Sequence, residues 1–266
     1  MTLGAFAAAH AEDLSKDAVS RLIEIRERFD GPTIRIQLFD DVEGTQVEVK
    51  GRYNVFDPKT GKKADSAFLA SNYYMYPTVD GIKWGAEFPG LYQVLIVPDK
   101  TETTVLVGGT EYRGMAYLYQ IQGTLAAVNE VSLEDFVTSI LSSHIPSYVT
   151  EKEAIAALAI ALRSEALRQM TFSKSPYWDV KAGTFGYRGF SIERHDAPFI
   201  DAMRSSKAMV LMKGDDVVNV KWFAAGEAMA PFHEIQNWAK DGYDARAILE
   251  KLFPDSKIVL LSNFRK

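Results

Sequence analysis

The sequence predicts an α+β fold in which strand-rich N- and C-terminal halves surround a central pair of helices. Three observations carry that expectation. Residues 33–122 alternate apolar and polar positions in period two between Gly and Pro turns. Residues 133–170 hold two helical stretches, the second composed almost wholly of Ala, Leu and Ile. After residue 177 short strand-like runs return, before a last helical stretch and a final strand.

In chain order, Val19, Leu22, Ile23, Ile25 and Phe29 recur at helical spacing among charges. Residues 17–29 are therefore expected as an amphipathic helix that Gly31-Pro32 stops. Strands follow at 34–39, 46–50, 92–97, 104–107 and 115–121, divided by turns at Asp57-Pro58, Gly61, Asp80-Gly81, Gly108-Gly109 and Gly123. Leu133 to Ser142 reads as a short helix, with His144-Ile145-Pro146 as the turn after it. Thr150 and Glu153 have the spacing of a capping box at the head of the Ala-rich helix, which runs to about Met170. Residues 177–216 read as short strands and loops, with 213–216 as a hairpin turn. A second long helix spans 234–252 with an interruption at Gly242, and a strand covers 257–261.

Composition narrows the chemistry. The 266 residues are 47% apolar and 24% charged, with net charge −5, so neither nucleic acid nor an anionic membrane surface is implied as a partner. The absence of cysteine excludes disulfides, thiolate metal sites and a thiol nucleophile. His10, His195 and His233 lack metal spacing, and Asp40-Asp41 and Asp215-Asp216 lie in turns, so no metal and no cofactor is expected. No apolar run reaches the roughly 20 residues that cross a bilayer. Residues 3–11 are small and apolar before Glu12-Asp13. They read equally as the end of a secretory signal and as an Ala-rich tail.

The order Tyr112, Gly114, Asn129, Val131, Leu133, Glu134, Pro146, Glu153, Ala154, Ala157, Ala159, Ala161, Arg163, and then Tyr187 and Gly189, resembles the stage II sporulation protein D family, the SpoIID/LytB domain. The resemblance covers most of residues 33–262. It gives a division into a tail and amphipathic helix (1–32) and a SpoIID/LytB-like domain (33–266). It implies an exported protein of the periplasm or cell envelope, acting on peptidoglycan glycan strands. Some members are lytic transglycosylases that cut denuded strands in wall remodelling or division. Others regulate a cell-wall amidase or act within a division- or engulfment-type complex, so an inactive glycan-binding or amidase-regulating pseudoenzyme is the alternative.

The departures are specific. The family's catalytic Glu falls on His144, and its helix Lys and Gln fall on Ala156 and Leu158. Phe185 replaces a Gln, and no Ser-Gly-Gly segment is recognisable between Ala224 and Glu234. His144 is the candidate acid/base, since imidazole titrates near neutrality, or else it packs the turn before Pro146. Glu134 is a second catalytic candidate, with support of its helix's first-turn amides as the other reading. Arg163 could hold a sugar carboxylate or an internal acid. Tyr187 and Trp178 could stack on sugars or serve the core, and Asn129 is a substrate contact or a turn residue.

Overall fold

The computed structural model describes residues 16–29, 31–67, 70–190, 194–223 and 230–261, and its class is the α+β expected from the sequence. The stretch at residues 3–11, and with it the signal-like reading, lies outside the described residues.

Helix α1 (Lys16–Arg26) leads into β1 (Thr33–Val42) and β2 (Thr45–Val49). The hairpin β3 (Tyr53–Phe56) and β4 (Lys63–Ala67) is followed by the meander β5 (Ala70–Thr78), β6 (Gly81–Trp84) and β7 (Ala86–Pro89). Then come β8 (Gln93–Pro98), β9 (Val105–Val107), β10 (Thr110–Tyr112), β11 (Met115–Ile121) and β12 (Thr124–Ser132). Next are helices α2 (Leu133–His144) and α3 (Lys152–Phe172), β13 (Val180–Lys181) and the single turn α4 (Ala182–Phe185). The chain continues through α5 (Ala197–Ser205), β14 (Met209–Lys213), β15 (Asp216–Val217), α6 (Phe232–Lys240), α7 (Ala245–Leu252) and β16 (Lys257–Leu260).

Seven strands form one sheet in the order β13-β1-β12-β11-β8-β3-β4, and six form another in the order β10-β9-β2-β5-β6-β7. A small sheet, β15-β14-β16, completes the C-terminal part. Period two gives the seven-stranded sheet two apolar faces. Met115, Tyr117 and Tyr119 of β11 join Leu95, Val97, Ala126 and Val128 on one face, under Leu22 and Ile25 of α1. Burying those two α1 side chains contributes roughly 1.5–3 kcal/mol each, enough to dock a short helix. Ala116, Leu118, Val94, Ile96, Leu125 and Ala127 point the other way. They share one core with α2, α3 and Val47, Val49 and Met75 of the second sheet.

Helix α3 is buried on every side from Ala154 to Leu167. Its alanines let α2, α5, α6, α7 and β14 approach closely, so the Ala-rich run is the axis of the domain. It is not headed by a capping box. The N-cap is Glu151, which makes no side-chain cap bond. Gln236 of α6 serves the entry instead: its Oε1 accepts from the N–H groups of Thr150 (3.1 Å) and Glu151 (3.2 Å). Glu153 turns away to accept from the N–H of Ala245 (3.0 Å). A tertiary contact has replaced the local one that the spacing suggests.

Three further differences have local causes. Helix α2 continues through His144, and Ile145 closes it by donating its N–H to Leu141 O (3.0 Å). Helix α5 stands where strands and loops were expected, with Asp196 as N-cap accepting from Phe199 N (3.2 Å) and Pro198 in its first turn. The stretch expected as one interrupted helix is two, α6 and α7, and Asp244 caps the second by accepting from Ala247 N (2.7 Å).

Candidate functional site

The turn from β10 into β11 and the loop after α4 are sewn to the sheet by a buried polar cluster. Asn129, on β12, donates its amide to the carbonyls of Arg113 (2.8 Å) and Met115 (3.0 Å). Its Oδ1 accepts from the Tyr187 hydroxyl (2.8 Å). Gly114, at φ +81°, lies where a Cβ would stand 2.2 Å from Glu130 O, so the turn requires glycine. Phe190 donates its N–H to Glu111 O (2.8 Å), and the Ser139 hydroxyl of α2 donates to Gly189 O. Asn129 and Tyr187 are buried and spend their polar atoms on each other and on backbone. They frame the turn and the loop, and little of their surface is left exposed.

Glu134, partly exposed, and Arg163, buried, form a second unit. The guanidinium is fully buried and donates to both Glu134 oxygens, Nε to Oε1 at 2.9 Å and Nη2 to Oε2 at 2.7 Å. Nη1 donates to the carbonyls of Ser206 (3.0 Å) and Met209 (2.9 Å). Glu134 also accepts from Ala208 N (3.0 Å). Arg163 therefore has no donor turned to solvent for a sugar carboxylate. Nor does Glu134 support its own helix end: Ser132 is the N-cap and accepts from Asp135 N (3.0 Å). Glu134 and His144 are ten residues apart on α2, about 15 Å along the axis, so they cannot act on one bond. A surface cavity of about 300 Å³ opens at the Glu134 end between Arg28, Arg113, Asp135 and Lys207, and His144 is not in its lining.

His144 is exposed at the last turn of α2. Its Nδ1 lies 2.9 Å from Ile140 O and 2.9 Å from Ser143 Oγ. A carbonyl oxygen can only accept, so Nδ1 carries the hydrogen and Nε2 is left for proton exchange. The ring leans on Gly186, where a Cβ would stand 2.6 Å from Nε2 and 2.8 Å from Cε1. Gly186 is the C-cap of α4 at φ +63°. Phe185 beside it meets Phe136 of α2 edge-on at 5.3 Å, and Tyr187 meets the same ring at 5.6 Å. That aromatic trio fixes α4 against α2 and so fixes the imidazole. Trp178, half-buried, lies on the loop between α3 and β13, with Tyr177 6.0 Å away.

Two buried carboxylates lay outside the sequence-derived site. Glu130 is wholly buried under α1, accepting from Arg26 (2.5 and 3.0 Å), Thr33 Oγ1 (2.6 Å) and the Tyr117 hydroxyl (2.8 Å). Burial alone would raise its pKa, but the Arg26 charge and these donors together bring it down to about 2. A lone Glu on the apolar parity of Ala126 and Val128 was the available signal. Glu165 on α3 is buried as well. It accepts from Val220 N (3.1 Å), Arg168 and Gln169, and these donors outweigh burial and lower its pKa.

Residues 121–212 match the family model SpoIID, described as Stage II sporulation protein. Two relatives align over nearly the whole chain. One is an uncharacterized protein of Chlamydia pneumoniae, 27% identical over 99% of this chain and 94% of its own length. The other, from Chlamydia muridarum (strain MoPn / Nigg), is 27% identical over 98% and 87%. An uncharacterized protein of Brachyspira hyodysenteriae (strain ATCC 49526 / WA1) is 29% identical over 50% of this chain and 35% of its own. The matched segment holds β12, α2, α3, α4 and α5, hence His144, Arg163 and Tyr187 together.

Proposed function

We propose that this chain, a divergent member of the SpoIID family and so of a cell-wall- and sporulation-related group, acts on the glycan strands of peptidoglycan, with His144 as its acid/base group. One observation carries the reading: an exposed imidazole with a defined tautomer occupies the end of α2 where the resemblance puts a catalytic carboxyl. In the lytic reaction, Nε2–H of the imidazolium gives its proton to the leaving glycosidic oxygen as the C1–O bond breaks. The neutral Nε2 then takes the proton of the muramoyl 6-hydroxyl as that oxygen closes on C1 to the 1,6-anhydro sugar. Imidazole can serve both halves because the charged ring gives up a proton and the neutral ring accepts one. The Nδ1–H bond to Ile140 O holds the tautomer throughout.

A second reading is binding without cleavage, including regulation of a cell-wall amidase. It is favoured by the absence, among the described residues, of a carboxylate in contact with His144. In either case the protein works in the cell envelope; no helix among the described residues is long and apolar enough to cross a membrane.

The test is mass analysis of denuded glycan strands incubated with wild type, His144→Ala and His144→Glu, alongside retention of each protein on sacculi. Anhydro-muramoyl ends from wild type that vanish in His144→Ala support cleavage. Ends formed only by His144→Glu support a binding protein with a preserved cleft. Neither ends nor retention would remove peptidoglycan as the target.

A further inference from the structure

The cavity of about 300 Å³ at the head of α2 gathers positive charge from four separate parts of the chain. Arg28 enters from beyond the end of α1, Lys100 from the loop after β8, Arg113 from the turn into β11 and Lys207 from the loop before β14. Two carboxylates share the lining, and both are engaged. Glu134 accepts from Arg163, and Asp135 accepts from the Ser132 hydroxyl (2.7 Å) with Arg113 3.6 Å away. Four cations against two carboxylates make the cavity positive, in a chain whose net charge is −5.

Local contacts position these cations. Arg28 Nη2 donates to the carbonyls of Pro98 (2.8 Å) and Asp99 (2.5 Å), which fix the guanidinium and leave its charge. The Arg113 guanidinium lies over the Phe190 ring, 3.7 Å from its centre. Lys100 meets Glu102 at 3.8 Å with side chains 73% and 71% exposed, a pairing that water screens. Between the charges, Ile25 and Phe29 of the α1 segment and Val97 and Pro98 of β8 make part of the wall apolar.

We propose that this cavity docks an acidic segment of a protein partner, with one apolar side chain against that wall and flanking carboxylates under the four cations. The site stands apart from the glycan reading, because His144 is not in its lining. Chemistry selects the occupant. Alternate side chains of an extended peptide stand about 7 Å apart, so one segment reaches cations supplied by separate loops. A single small anion meets them one or two at a time. The apolar wall suits a side chain of leucine or phenylalanine size. The stem peptide of peptidoglycan is acidic too, but its apolar side chains are alanine methyls and would leave the wall uncovered. A neutral sugar would bring hydroxyls to the wall and nothing to the cations.

The experiment titrates the full chain by calorimetry in low salt with an acetylated, amidated peptide of sequence Ser-Asp-Glu-Leu-Glu-Asp-Ser. Comparison ligands are its uncharged Asn/Gln counterpart, a form with serine for leucine, a muramyl tetrapeptide and inorganic phosphate. Each titration is repeated with a Lys100→Gln/Lys207→Gln double variant, whose exposed positions leave the circular dichroism spectrum intact. The acidic peptide should bind wild type with a Kd below about 1 mM and the double variant about tenfold or more weakly. Loss of its charges or of its leucine should each weaken binding about tenfold or more. Absence of binding, or binding indifferent to the lysines, the charges or the leucine, overturns the proposal. So does tetrapeptide or phosphate that binds as tightly as the acidic peptide, which would make the cavity a stem-peptide or small-anion site. Retention on sacculi should be equal for the two proteins; a fall in the double variant would assign the cavity to glycan binding and overturn the docking role.

Discussion

Replacing Glu134 by glutamine removes one charge and almost no volume, which isolates the electrostatic role of the Glu134–Arg163 pair. In the native protein Arg163 is completely buried, and Glu134 is the carboxylate on its guanidinium. After the change, the carbonyls of Ser206, Met209 and Ala159 still accept from Nη1, but no negative charge balances the cation. Removing one partner of a buried pair costs about 3–5 kcal/mol. Glu134 keeps 22% of its side chain exposed, and the replacement amide can still accept one bond, so the loss belongs at the lower end. About 3 kcal/mol is roughly a hundredfold in the folding equilibrium. Urea unfolding followed by circular dichroism should show the midpoint fall at unchanged slope. Adding Arg163→Met should cost less than the sum of the single changes, since the second removal relieves the stranded cation. A Glu134→Gln protein within about 0.5 kcal/mol of wild type would refute the assignment, and Arg163 would have to be balanced by something else.

The Glu130 carboxyl, held at about 2 against an ordinary 4.5, makes stability fall in acid. Its contribution is complete above pH 4.5 and is lost as the pH drops through 2, about 3 kcal/mol in total; denaturation midpoints of Glu130→Gln should vary less over that window than those of wild type. Gly186→Ala should cost about 1–2 kcal/mol for the left-handed backbone and push the imidazole off its seat, which the His144 NMR signals would report; unchanged signals would contradict the packing described. Tyr187→Phe should lower stability by about 1–3 kcal/mol by leaving Asn129 Oδ1 unsatisfied, and the same loss seen only in glycan retention would return Tyr187 to the binding surface.

The fold was legible to the extent that one segment's pattern dictates it. Alternation gave the strands of 33–122, and the run Ala154 to Leu162 gave a buried helix, because period and apolar content are local properties. The errors lie where distant partners intervene. Thr150 and Glu153 look like a capping box, yet Gln236 does the capping and Glu153 serves α7. Glu165 reads as a surface residue until Val220 is brought against it from 55 positions away. Helix α5 carries its own local start signal in Asp196-Ala197-Pro198.

For the site the division is sharper. Motif order identified the family segment and singled out His144, Glu134, Arg163, Asn129, Tyr187 and Trp178, since spacing along a chain survives divergence. Which of them meet was a matter of packing. Tertiary structure joined the partly exposed Glu134 to the buried Arg163 and buried Asn129 to Tyr187, and left His144 exposed and Trp178 half-buried. The physical reason is that a polar side chain's role depends on whether water or protein satisfies it. That is settled by neighbours dozens of residues away, which no local pattern records.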